Sequence, residues 1–149
     1  MHKNHEFDLF TLSLKKKVEA CANIKQESLS LDDAYQLYTL GYHLYESGEL
    51  EKAKLCFERL ILDYPFEERF IKALASCYQM LKLFDEAAKC WMHALVLEPG
   101  CAYFAFQAGD CFVRLGKKTE AKEAFQMARG SAHEDKELLT KIELMEQKL

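Results

Sequence analysis

The stretch YQLYTLGYHLY, residues 35–45, places apolar and aromatic side chains on two separate faces of a predicted helix. Tyrosines recur at three- and four-residue steps, and leucines recur with a similar spacing between them. The tyrosines are Tyr35, Tyr38, Tyr42 and Tyr45, and the leucines are Leu37, Leu40 and Leu44. At about 100° per residue, the two stripes point roughly 130° apart. One face can form the core of the fold, so the other face needs a different role.

Small, aromatic and proline residues recur every 34 positions along the chain. The aligned sets are Gly41, Ala75 and Gly109; Ala53, Ala87 and Ala121; Phe57, Trp91 and Phe125; and Pro65 with Pro99. Small residues let two helices approach closely, the aromatic residues fill the space between them, and each proline ends a helix. Three units follow, at residues 34–67, 68–101 and 102 to about 133. Their period and their residues resemble the tetratricopeptide repeat.

The pattern predicts an all-α fold in which three tandem tetratricopeptide repeats form a right-handed superhelical array. The predicted helices cover residues 32–47, 50–63, 67–81, 84–97, 101–115, 118–130 and 134–148. Ser30 is the predicted N-cap that opens the array, because Asp32 and Asp33 follow it in the first turn. Gly48 and Gly116 are expected in turns that need a positive φ. The last helix has one apolar face and is expected to cap the array.

The predicted organisation has an N-terminal segment at residues 1–31, the repeats at 32–133 and the capping helix at 134–149. Within the first segment, apolar residues at three- and four-residue steps predict an amphipathic helix over about 7–22. This helix can pack on the first repeat or on a second copy of the protein. The sequence leaves both possibilities open, and we expect a homodimer contact.

The tyrosine face is expected to line the concave groove of the array. In a tetratricopeptide repeat, positions 2, 5, 9 and 12 of the first helix face this groove, and the four tyrosines occupy them in the first unit. The candidate peptide-binding residues are Tyr35, Tyr38, Tyr42, Tyr45, Arg69, Lys72, Ser76, Tyr103 and Phe106. Tyrosines offer large amphipathic surfaces with little rotamer entropy to lose, which suits the binding of a segment of another protein. The alternative, strongest for Tyr35, is that they pack under the N-terminal helix as core.

Composition argues against several other functions. The formal net charge is −4 and the pI is about 5.8, which gives no electrostatic footprint for nucleic acid. No apolar run is long enough for direct membrane insertion, and the N-terminus lacks a signal peptide, so we expect a cytoplasmic protein. The six cysteines include no C-x-x-C pair, and two pairs of them are spaced by the 34-residue repeat, so packing is expected. The histidines form no ligand pattern, and we expect no cofactor, no metal and no enzymatic activity.

Residues 34–130 also resemble the class II chaperones of type III secretion, the SycD/LcrH/IpgC type. The resemblance rests on Leu37–Tyr38, on the Tyr-x-Ser-Gly element at Tyr45–Gly48, on the Arg69–Phe70 pair and on the context of Cys77. Two family elements differ here: a Gly-Gly-Thr element is absent from KKKVEACANIKQ, and a Pro-Arg-Phe-Pro-Phe stretch is replaced by AYFAF.

The resemblance implies a chaperone of the bacterial cytoplasm that keeps hydrophobic translocator proteins soluble. It implies that the groove holds an extended client segment of Pro/Val-x-Leu-x-x-Pro type, that Tyr38, Tyr42 and Tyr45 contact this client, and that the chaperone dimerises. The differing AYFAF stretch implies a different choice of client. The alternative function is a generic tetratricopeptide scaffold that joins soluble proteins.

Overall fold

A computed structural model describes residues 12–16 and 28–149, and every regular element within these ranges is an α-helix. The helices are α1 (Leu31–Glu46), α2 (Leu50–Asp63), α3 (Glu68–Met80), α4 (Phe84–Leu97), α5 (Ala102–Arg114), α6 (Lys118–Ser131) and α7 (Lys136–Glu146). The predicted all-α class is confirmed, and each helix starts and ends within two residues of its predicted bounds.

Contacts divide the chain into two compact units, Met1–Leu81 and Lys82–Leu149. The division falls in the turn between α3 and α4, so the first unit contains α1 to α3 and the second contains α4 to α7.

The first unit packs α2 between α1 and α3. Gly41 of α1 lies directly against the Phe57 ring of α2, and both residues are buried. Buried apolar side chains of α2 and α3 complete the core: Leu60, Ile61, Phe70, Ile71, Leu74 and Cys77. The buried carboxylate of Glu58 accepts a hydrogen bond from Tyr78 Oη at 2.7 Å, which satisfies a polar group inside this core.

The second unit packs α5 between α4 and α6. Gly109 of α5 lies against the Phe125 ring of α6, as Gly41 does against Phe57. The helix α7 packs on α6 and α5 through Ile142, which is fully buried. Asp135 caps α7 by accepting a hydrogen bond from the Leu138 N–H at 3.0 Å, and Arg129 of α6 pairs with Glu146 of α7.

The turns between paired helices use a positive φ at three positions spaced by 34 residues. Gly48 has φ 83° and Gly116 has φ 72°, as predicted, and Lys82 takes φ 60° at the equivalent position. Glycine adopts this conformation at little cost, whereas a residue with a Cβ is strained in it. The repeat register therefore imposes the conformation on Lys82, although its side chain does not favour it. His133, which replaces the repeat's proline, also has a positive φ, of 48°.

Most of the predicted N-terminal helix at 7–22 lies outside the described residues. Residues 12–16 are helical, and Leu14 is 2% exposed. The predicted N-cap is confirmed, because Ser30 Oγ accepts a hydrogen bond from the Asp33 N–H at 3.2 Å.

Among the described residues, no helix combines the length and apolar character that a membrane crossing requires. Cys56, Cys77, Cys90, Cys101 and Cys111 have free thiols, and Cys21 lies outside the described ranges. Within residues 12–16 and 28–149, no group of three or more His, Cys, Asp or Glu side chains could hold a metal ion.

Candidate peptide-binding surface

Four tyrosines lie along one face of α1, and we call them the tyrosine surface: Tyr35, Tyr38, Tyr42 and Tyr45. Within the row, the ring centroids of Tyr38 and Tyr42 are 5.0 Å apart, and those of Tyr42 and Tyr45 are 6.4 Å apart. Tyr35 is 37% exposed and Tyr42 is 42% exposed, while Tyr38 and Tyr45 are half-buried. The row therefore presents aromatic area to solvent and keeps part of each of two rings in the fold.

Two buried phenylalanines from the neighbouring helices support the tyrosine surface. Phe57 of α2 lies 6.2 Å from Tyr38 and 6.1 Å from Tyr42 between ring centroids. Phe70 of α3 lies 5.3 Å from Tyr38 and 6.4 Å from Tyr35. Both phenylalanines are 1% exposed, so the outer rings rest on packed inner rings. Aromatic pairs at such distances are favourable beyond the area they bury, which limits the mobility of the tyrosines.

A pocket of about 140 Å³ opens beside the tyrosine surface within the first unit. Tyr42 and Tyr45 of α1, Phe57 of α2, and Ala73 and Ser76 of α3 line it. A cavity of about 150 Å³ holds a benzene molecule in another protein, so this pocket has room for one aliphatic or small cyclic side chain. Ser76 was predicted from the sequence as a binding residue, whereas Phe57 and Ala73 were not. The small size of Ala73, between two groove positions on α3, is the signal that could have identified it.

The hydroxyl of Tyr38 is held in its neutral form. Burial first, and a hydrogen bond with Tyr42 second, together raise the pKa of Tyr38 to about 12. A neutral phenol can both donate and accept a hydrogen bond. Tyr38 therefore offers a polar group for the backbone of an extended ligand without placing a charge among aromatic rings.

The predicted cationic residues of α3 lie beside carboxylates. Arg69 donates a hydrogen bond to Tyr35 Oη at 2.6 Å, and its guanidinium carbon lies 5.1 Å from the Tyr35 ring centroid. Arg69 also pairs with Glu67 at 3.1 Å, and Lys72 lies 4.0 Å from Glu68. The hydrogen bond that Arg69 donates to the Glu67 carboxylate, and secondly the one that it donates to Tyr35, raise the pKa of Arg69. This end of α3 is therefore polar with locally balanced charge.

The second unit contains the two remaining predicted binding residues, Tyr103 and Phe106, on α5. Tyr103 is 47% exposed, and its ring meets the buried Trp91 edge-on at 5.7 Å. Phe106 is half-buried, with its ring 5.9 Å from that of Phe125. Both side chains combine an accessible part with a packed aromatic neighbour, as the tyrosines of the first unit do.

Comparison with known proteins agrees with the repeat and with the resemblance described above. Residues 37–66 and 103–130 match the tetratricopeptide repeat family. Low calcium response locus protein H of Yersinia pestis is 30% identical over 121 residues, which cover 78% of this chain and 71% of that protein. The chain belongs to the family of low calcium response locus protein H. Its identification from sequence as a relative of translocator chaperones is confirmed.

Two structurally characterised proteins share this architecture. The Yersinia enterocolitica type III secretion translocator chaperone SycD, solved with a peptide of the translocator YopD, superposes with a TM-score of 0.74 at 27% identity, over 82% of this chain and 95% of that chain. SycD has also been solved as an alternative dimer. PcrH of Pseudomonas aeruginosa, in complex with the chaperone-binding region of PopD, gives a TM-score of 0.73 at 27% identity, over 83% of this chain and 96% of that chain.

Proposed function

We propose that this protein is a type III secretion chaperone that binds an extended segment of a hydrophobic translocator protein. In this proposal it acts in the bacterial cytoplasm, by binding and without chemical turnover, and keeps its client soluble until export. The observation that carries the proposal is the tyrosine surface with its adjoining pocket, because it is exposed, rigidly supported and sized for single side chains. Membership of a family whose relatives bind translocator segments supports the same function.

The geometry fits an extended peptide held by a few anchors. Each apolar side chain buried against the rings contributes about 1.5–3 kcal/mol, and each immobilised side chain costs about 0.5–1.5 kcal/mol. Because these two quantities are of similar size, three or four anchors favour a reversible complex, which holds a client in the cytoplasm and still permits its release.

The proposed client contacts extend beyond the tyrosine surface. On α3 they include Arg69, Lys72 and Ser76, which share one helix face with the pocket-lining Ala73. On α5 of the second unit they include Tyr103 and Phe106, proposed as a separate set of contacts. The polar residues suit the peptide backbone and polar side chains, and the aromatic residues suit apolar anchors.

We also propose that the protein forms a homodimer, and the leucine face of α1 supports this. In the second repeat the positions equivalent to Leu37, Leu40 and Leu44 are buried, with Leu74 of α3 at 0% exposed. In the first repeat, Leu40 is 51% exposed, and Leu37 and Leu44 are half-buried. The leucine face was predicted to lie in the core, but it is only partly buried. The exposed remainder can be covered by the N-terminal segment of either copy in a dimer.

Peptide binding by the double variant Tyr38→Ala/Tyr42→Ala tests the proposed function. Fluorescence anisotropy of a labelled Val-x-Leu-x-x-Pro peptide is expected to show an affinity at least about thirtyfold weaker than wild type, because two aromatic anchors are lost. The matched control is Leu55→Ala/Phe66→Ala, which removes exposed apolar side chains of the first unit outside the tyrosine surface. The control is expected to bind like wild type.

Capture of proteins from the native cytosol extends the same test to the natural client. Wild type and the control are expected to retain a secreted protein with apolar membrane segments, and Tyr38→Ala/Tyr42→Ala is expected to lose it. If the folded double variant keeps full affinity, the tyrosine surface is not the binding site. Soluble, well-folded partners retained by all three proteins would favour the generic tetratricopeptide scaffold.

A further inference from the structure

Two side chains at the C-terminal end of α2 hold the backbone of Leu29, the residue before the N-cap of α1. Asp63 Oδ2 accepts a hydrogen bond from the Leu29 N–H at 2.7 Å, and Tyr64 Oη donates one to the Leu29 carbonyl at 2.8 Å. Arg59 donates to the same Asp63 oxygen at 2.8 Å, which fixes the carboxylate. Both polar groups of Leu29 are therefore satisfied by side chains. We call Asp63 and Tyr64 the Leu29 clamp.

The clamp residues do not follow the 34-residue pattern of the repeat. Residues equivalent to Arg59, Asp63 and Tyr64 are His93, Leu97 and Glu98 in the second repeat, and Met127, Ser131 and Ala132 in the third. None of these replacements reproduces the set of a guanidinium, a carboxylate and a phenol. Packing between repeats consequently does not explain why these three residue types occur together in the first repeat.

Tyr64 also contacts the inner ring that supports the tyrosine surface. Its ring meets Phe70 edge-on, with centroids 6.0 Å apart and an interplanar angle of 83°. The Phe70 ring in turn contacts the rings of Tyr38 and Tyr35, with centroid distances of 5.3 Å and 6.4 Å. Tyr64 thus contacts both Leu29, which precedes α1, and Phe70, the buried ring that supports two of the four surface tyrosines.

We propose that Tyr64 is a positioning residue for the tyrosine surface, a role that rests on the proposed function. Its hydroxyl, together with Asp63, fixes the start of α1 through Leu29, and its ring fixes Phe70. The first turn of a helix frays where the chain that enters it is not fixed. With both contacts made, Tyr35 and Tyr38 are held before the client arrives, so binding immobilises fewer side chains.

The substitution Tyr64→Phe tests this role because it keeps the ring on Phe70 and removes only the bond to Leu29. We expect its affinity for the labelled Val-x-Leu-x-x-Pro peptide to be about threefold to tenfold weaker than that of wild type. Hydrogen exchange of the amides in residues 29–35 is expected to be faster in the free protein, since the entry to α1 is released.

The matched control is Tyr78→Phe, which removes the hydroxyl that donates to Glu58 in the same unit. It leaves a buried carboxylate without this partner, so its free energy of unfolding is expected to fall at least as far as that of Tyr64→Phe. Its peptide affinity is expected to stay within about twofold of wild type, because the hydroxyl that it removes is hydrogen-bonded to Glu58 in the core.

Three outcomes would overturn the inference. If wild type and Tyr64→Phe bind the peptide equally, Tyr64 does not position the surface, and the proposed function is unaffected. If both variants lose affinity in proportion to their loss of stability, Tyr64 contributes only to the fold. If exchange at residues 29–35 is unchanged in Tyr64→Phe, the clamp does not hold the start of α1. Failure of wild type itself to bind would instead contradict the proposed function for this peptide class.

Discussion

The close contact between Gly41 and Phe57 predicts that Gly41→Ala alters both stability and binding. A Cβ at this position would lie 2.6 Å from Phe57 Cε1, 3.0 Å from Cζ and 3.1 Å from Cδ1. Carbon atoms in proteins normally approach to about 3.5–4.0 Å, so the ring must move by about 1 Å. Phe57 lines the pocket and contacts Tyr38 and Tyr42, and its movement therefore displaces the supports of the tyrosine surface.

Two opposing terms set the size of the effect on stability. Forcing an extra methyl group into a packed core costs about 1–3 kcal/mol, and replacing glycine by alanine inside a helix returns about 0.5–1 kcal/mol. We expect a net loss of about 1–2 kcal/mol, which corresponds to a fall in melting temperature of roughly 2–8 °C for a chain of this size. The displaced pocket wall is expected to weaken peptide binding by about tenfold, equivalent to about 1.4 kcal/mol.

The chain supplies a matched control in Gly109→Ala. There the new Cβ would lie 2.5 Å from Phe125 Cε1, so the overpacking is closely similar, but Phe125 does not line the pocket of the first unit. Thermal unfolding and peptide anisotropy are measured for both variants. Both are expected to be destabilised, but Gly41→Ala is expected to lose more affinity, because Phe57 lines the pocket and contacts two surface tyrosines, whereas Phe125 contacts Phe106. Equal losses of affinity in both variants, or a more stable Gly41→Ala, would refute the reasoning.

Two further predictions concern single residues. Lys82→Gly is expected to raise the free energy of unfolding, measured in urea, by about 0.5–1 kcal/mol, because glycine adopts the positive φ without strain. Lys82→Ala keeps a Cβ and should give no such gain. Equal gains in both variants would show that the backbone at Lys82 is not strained. Burial raises the pKa of the Cys77 thiol to about 11 from an ordinary value of 9.0. Between these two pH values the thiol ionises only in the unfolded chain, so the free energy of unfolding falls as pH rises. The difference in unfolding free energy between wild type and Cys77→Ala should shrink over that interval, and a difference that stays constant with pH would argue against a raised pKa.

The helices could be predicted closely because local signals mark their ends. The bounds of α2 and α4 were predicted to the residue, since Pro65 and Pro99 follow them at the same distance. The start of α1 was predicted within one residue from Ser30 and the acidic first turn. These signals act within a few residues of the chain, so they can be interpreted without knowledge of the tertiary fold.

Features that depend on contacts between helices were harder to predict from the sequence. The pocket combines Phe57 and Ala73 with tyrosines from another helix, and its volume depends on how close those helices lie. The positive φ of Lys82 is set by the repeat register against the preference of the residue itself. Leu40 is exposed although the equivalent Leu74 and Ala108 are buried, so its exposure could not be inferred from the repeat pattern.

The distribution of aromatic residues gives each unit its own optical signal. Trp91, buried against Tyr103 and Phe104 in the second unit, is the only tryptophan of the chain. Six of the seven tyrosines belong to the first unit, and no tryptophan accompanies them there. Fluorescence excited at the red edge of the tryptophan absorption band therefore follows unfolding of the second unit alone. Tyrosine absorbance comes mainly from the first unit. Every variant of the tyrosine surface can be checked in the same sample for whether the second unit is still folded.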